Sequence, residues 1–120
     1  MTFAAHAVLG AGIHGAVAHF IGCEGVFLHA AVASGGICGA MPDLIGWVGN
    51  LCGDEWKSYN EAHRFSVDNP LCYLPASLAH LALDALSHAD GGKWWPKYAP
   101  LEFAAWCWGL ALLCLTYSCI

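Results

Sequence analysis

His80, Asp84 and His88 recur at every fourth position of an otherwise apolar stretch, and each can ligate a metal ion. Four-residue steps turn successive members by only about 40° around a helix, so all three share one face. A helix rises about 1.5 Å per residue, which sets His80 and His88 roughly 12 Å apart along the axis, too far to grip one ion. The spacing therefore suggests two metals bridged near Asp84. Ionisable residues in apolar helices are costly to bury and mark function by default, and a carboxylate beside imidazoles suits a divalent cation.

The elements that must position this row are helical and apolar. Phe3 to Ile21 reads as a first helix, rich in small residues and interrupted by His6, His14 and His19. Gly22 to Gly25 breaks the pattern, and Val26 to Ala40 reads as a second helix that stops at Pro42, because proline disfavours helical geometry at the residue before it. Within it, Gly35-x-x-x-Gly39 permits close backbone approach by a neighbour. Leu71 to Ala89 forms a third helix ended by Asp90-Gly91-Gly92, and Leu101 to Ile120 a fourth, following Pro100. The last is about the 20 residues needed to cross a bilayer. Between the second and third helices, Asp43 to Asn69 turns polar. It holds five of the nine acids, and a short helix from Asp54 to Arg64 begins there at an aspartate cap. This is the expected aqueous face.

Composition points the same way. Hydrophobic residues make up 58% of the 120 and charged residues 11%, about half the usual charged share of soluble domains. The expected fold is all-α, a single domain of about four apolar, membrane-embedded helices with a polar connecting segment, making an integral, multi-pass protein in contact with membrane lipid. A net charge of −5 with only four Lys and Arg argues against nucleic acid as a partner. No Lys or Arg precedes Lys57, so a secretory signal peptide is not expected. The Trp94-Trp95-Pro96-Lys97-Tyr98 cluster reads as an interfacial anchor. The two cations in each connecting segment leave the orientation open. The seven cysteines contain no Cys-x-x-Cys pair and read as small packing residues.

Outside the row, the informative residues are His6, His14, Asp43 and His63, each near a break or in an apolar helix. His19 and His29 read as hydrogen-bonded core residues. Position alone favours His14 over His6 as a partner for His80, since it lies deeper in the first helix.

The order Met-Thr-Phe-Ala-Ala-His6 with Gly10, then Gly39-Ala40-Met41-Pro42-Asp43, then His63-Arg64, then His80-x-x-x-Asp84 and Ser87-His88 carries a family resemblance. It resembles the membrane-bound metal-dependent hydrolases, the LexA-binding, inner-membrane-associated hydrolase family, thought to be related to zinc-dependent phospholipase C. The resemblance spans roughly residues 1 to 97 and lies in motif order. It implies that His6, Asp43, His63, His80 and Asp84 are metal-site residues, with His88 a further candidate. Two departures stand out. The family's Pro-Asp-x-Asp reads Pro42-Asp43-Leu44-Ile45 here, and Asp68 stands where the family's second histidine would be.

The leading expectation is a hydrolase using one to three Zn²⁺ ions to activate water against an ester, with a phosphoester as the first substrate class. Asp84 would bridge, Asp68 would ligate or act as general base, and Arg64 would neutralise a phosphate or else pair with Glu61. The first alternative is a non-catalytic membrane module locked by metal, which the missing second acid favours. Haem between His14 and His80 is the second.

Overall fold

The computed structural model describes residues 2–87 and 99–118, so the expected ligand His88 and the Trp94–Tyr98 anchor lie outside the described residues. All regular structure among the described residues is helical: α1 (Phe3–Phe20), α2 (Gly25–Leu51), α3 (Lys57–Ala62), a 3₁₀ turn (Pro70–Tyr73), α4 (Pro75–Ser87) and α5 (Ala99–Ser118). The all-α expectation holds, and α1, α2 and residues 100–118 of α5 are long and apolar enough to cross a membrane. Over the described residues helix α4 has 13 residues, fewer than a membrane span needs.

Small residues set how closely these helices meet. A Cβ at Gly10 would strike the carbonyl oxygen of Gly35, and one at Gly39 the carbonyl oxygen of His6, so α1 and α2 run antiparallel at backbone contact. Helix α5 runs parallel to α1, with Gly109 against Val8 and Leu9 and Thr116 against Gly15. Their shared end is tied by Glu102, whose carboxylate accepts from the backbone N–H and the hydroxyl of Thr2. The Thr2 hydroxyl in turn caps α1, accepting the Ala5 N–H at 3.4 Å. Away from these seams the helices expose Phe20, Val26, Phe27, Phe103 and Trp108. A helix apolar all round suits a lipid surrounding.

Helix α2 does not stop at Pro42; it continues to Leu51. Proline has no N–H, so it leaves the carbonyl of Cys38, four residues back, without its helical partner. The Ser77 hydroxyl of α4 donates to that carbonyl at 2.6 Å. One turn on, the ring of His80 donates to the carbonyl of Gly39, also at 2.6 Å. The proline thus opens the α2 backbone to α4, and α4 satisfies it. This overrides the local preference of Met41 for non-helical geometry.

The polar connection is ordered by its own side chains. Asp54 accepts the N–H groups of Trp56 at 3.1 Å and Ser58 at 2.9 Å, which starts α3 close to where its aspartate predicts. The buried Asn69 amide donates to the carbonyls of Ala62 at 2.9 Å and Arg64 at 2.8 Å and accepts the Leu71 N–H at 3.1 Å. These bonds fold the chain back behind His63 and deliver it to α4.

Candidate metal centre

Four side chains from three parts of the chain converge where α1 and α5 begin. Asp43 comes from α2, His63 from the end of α3, and His80 and Asp84 from successive turns of α4; one ligand atom of each lies within 4.8 Å of all the others. The two imidazoles are oriented from behind. His63 Nδ1 lies 2.9 Å from the Tyr59 carbonyl and His80 Nδ1 2.6 Å from that of Gly39, so each Nδ1–H donates to a carbonyl. That fixes the tautomer and leaves each neutral ring a bare lone pair at Nε2.

The distances at the centre are those of a small coordination shell. His63 Nε2 is 3.1 Å from His80 Nε2, 3.3 Å from Asp43 Oδ1 and 3.4 Å from Asp84 Oδ2. His80 Nε2 is 3.7 Å from Asp43 Oδ1 and 3.3 Å from Asp84 Oδ2. A tetrahedron of ligands about 2.0–2.2 Å from a central ion has edges of about 3.3–3.6 Å. Four electron-pair donors at this spacing repel one another unless a cation or protons lie between them. The group can therefore hold a metal ion. Where the sequence spacing suggested two ions bridged near Asp84, the described donors converge on one position.

Electrostatics reinforces the point. Burial works against charge on His63, but hydrogen bonds to Asp43 and Asp84 outweigh it and raise the imidazole to about 9. Burial pushes the Asp84 carboxyl up, yet the His6, His63 and His80 rings around it hold it well below the usual carboxylate range. Tyr59, stacked on His63 at 3.9 Å, is pushed up to about 12 by burial and by the two carboxylates.

His6 joins through Asp84. Its Nε2 lies 3.0 Å from Asp84 Oδ1, opposite the oxygen that faces the two other imidazoles, and its ring stacks on His80 at 3.5 Å. It is wholly buried, and its Nδ1 has no hydrogen-bond partner among the described residues. His6 thus positions Asp84 rather than adding a fifth donor to the group. His14 is not brought to it. Helices α1 and α4 oppose one another, with Ala76 against Gly10, so advancing to His80 leads back to His6. His14 instead lies 3.4 Å from Ser34 between α1 and α2. The haem alternative needs His80 turned to His14, whereas His80 Nε2 faces His63 and the carboxylates.

Arg64 and Asp68 are exposed and line a groove with Lys57, Ser58 and Glu61 that none of the four donors lines. Arg64 pairs with Glu61 at 3.6 Å, an exposed contact of little energetic weight. Sequence reasoning missed Tyr59, which both stacks on His63 and orients it; its i, i+4 spacing from His63 was the available signal. The chain matches no family model, no curated protein and no solved structure.

Proposed function

We propose that the chain is a multi-pass membrane protein that holds one zinc ion at Asp43, His63, His80 and Asp84 and hydrolyses an ester there, a phosphoester being the leading class. The observation carrying this is the convergence of two Nε2 lone pairs and two carboxylate oxygens, the five edges that involve an imidazole being 3.1–3.7 Å, with each ring held by a carbonyl behind it. A mixed nitrogen and oxygen tetrahedron suits zinc over magnesium or calcium, which prefer more oxygens. A bound zinc ion supplies Lewis acidity and lowers the pKa of water near it.

The protein's own groups divide the remaining work. Asp84, with an 8% exposed side chain, is pinned by three imidazoles and serves to hold the ion. Asp43, at 23%, is the most open of the four and borders a cavity. Its Oδ1, which faces the two imidazoles, would serve the ion, and its other oxygen would accept a proton from an incoming water. Hydrolysis would add the water oxygen to phosphorus, break a phosphorus–oxygen bond and pass the proton taken up by Asp43 to the departing alkoxide, the other proton staying on the phosphate product.

A second reading is favoured by the number of donors. Four protein ligands complete a tetrahedron, as in structural zinc sites, whereas catalytic sites keep a position open. On that reading the ion locks α2, α3 and α4 together. Cobalt-substituted protein in nanodiscs separates the two through its visible spectrum and its turnover of bis(p-nitrophenyl) phosphate. A catalytic centre gives a spectrum that shifts with phosphate and turnover lost in Asp43→Asn. A closed, four-coordinate spectrum indifferent to phosphate, with no turnover, supports the structural lock.

A further inference from the structure

A cavity of 440 Å³ opens beside the donor group, lined by Phe3, Asp43, Leu44, Trp47, Trp56 and Tyr59. That size falls within the range of small-molecule sites. We propose that it takes the alkyl or acyl chain of an amphiphilic ester whose polar head lies at Asp43, so that the metal centre prefers a lipid-like substrate to a short, soluble phosphoester. This deepens the hydrolase reading and rests on it for the chemistry, but not for the binding.

Three observations point to the chain. The first is wall chemistry: of the six lining side chains only Asp43 is charged, and the other five are aliphatic or aromatic, which suits a hydrocarbon chain. The cations Lys57 and Arg64 line a different groove. The second is place. Phe3 opens α1, a helix long and apolar enough to span a membrane, and Phe3, Trp47 and Trp56 are 48%, 58% and 49% exposed, so the cavity mouth is aromatic where that helix ends. Aromatic rings of this kind concentrate at headgroup depth, where an amphiphile has its chain on one side and its head on the other.

The third is the backbone at the rim. Glu55 and Trp56 have φ of 54° and 69°, two successive non-glycine residues in the left-handed region. Such strain gathers at binding sites when the surroundings enforce it. Asp54 enforces it here by accepting the N–H of Trp56, and the Trp56 ring then stands edge-on to Tyr59 at 5.8 Å. Tyr59 continues the wall to the metal group, where it stacks on His63.

The test uses the full chain in phosphatidylcholine nanodiscs and a dodecylphosphonate carrying a diazirine at the chain terminus, with labelled residues mapped by mass spectrometry. Labelling is expected at Leu44, Trp47 and Trp56, suppressed at least tenfold by excess unlabelled dodecylphosphonate and not by methylphosphonate. Leu44→Trp, which fills the cavity, should abolish the competed labelling while metal content stays at the wild-type level. Labelling spread over lipid-facing Phe103, Trp108 and Leu110 without competition would overturn the proposal, as would competed cavity labelling that Leu44→Trp leaves unchanged. Competed labelling at the cavity in protein without hydrolytic activity would uphold the chain site and remove the hydrolase reading.

Discussion

Gly36 and Gly39 lie three residues apart on α2, and alanine at the two positions should change stability in opposite directions. A Cβ at Gly39 would strike the His6 carbonyl oxygen and lie 3.1 Å from Gly10 Cα and 3.2 Å from the His6 carbonyl carbon. All three are backbone atoms, so no side chain can turn aside. Restoring ordinary separations of about 3.5 Å moves α1 away by roughly 1 Å. Overpacking of this kind costs about 1–3 kcal/mol, against a helix-propensity gain of about 1 kcal/mol, for a net loss of up to about 2 kcal/mol. A Cβ at Gly36 would meet Ala7 O at 3.5 Å and Ala11 Cβ at 3.8 Å, which is ordinary contact. Gly36→Ala should therefore gain about 0.5–1 kcal/mol through the reduced freedom of the unfolded chain. Reversible unfolding in mixed micelles measures both. The Gly39 carbonyl that accepts the ring N–H of His80 belongs to the backbone and is kept in Gly39→Ala, so the pair of variants tests helix packing and not the loss of that bond. Equal stabilities for the two variants would refute the α1–α2 contact at Gly39.

Three further outcomes follow from the same geometry. Ser77→Ala should cost about 1–3 kcal/mol by orphaning the Cys38 carbonyl, and much less in a Pro42→Ala background, where the substituted residue supplies the missing backbone N–H; a double-mutant cycle with no coupling would contradict this. His63 has its folded pKa raised to about 9, so without metal its contribution to stability is complete below about 6.5 and is lost as pH rises through 9. Metal binding must displace that proton, so affinity should move the other way, rising up to about tenfold per pH unit toward 9; competition titrations with a chromophoric chelator and melts of metal-free protein check the two slopes. Removing metal with a chelator should lower stability by about 4 kcal/mol relative to protein in zinc at a thousand times its dissociation constant, and unchanged melting would show that the fold does not depend on the ion.

Much of the helix layout was legible because it depends on local pattern. Apolar runs and glycine breaks placed α1 and α5 to within a few residues, and Asp54 announced α3. Pro42 misled because the property that stops helices locally, its missing N–H, is offset by Ser77, 35 positions further along the chain and invisible to a local reading. The candidate site was legible in its residue types and only partly in its arrangement. Asp43, His63, His80 and Asp84 were all singled out, but the four-residue spacing of His80, Asp84 and His88 suggested ions strung along one helix. The convergence on one position comes from the Asn69 turn that returns His63 to α4, which is a tertiary contact. Choosing between His6 and His14 likewise needed the direction in which α1 passes α4, and that direction follows from Gly10 meeting Ala76.

Metal stoichiometry tests the central claim most directly. Elemental analysis of nanodisc-reconstituted wild-type protein, with Asp84→Ala carried alongside, should find close to one zinc per chain in the wild type and little or none in the variant, which loses the donor that faces His6, His63 and His80. Well-folded wild-type protein that retains no divalent ion after equilibration with zinc would contradict the account and leave the histidines as helix-packing groups.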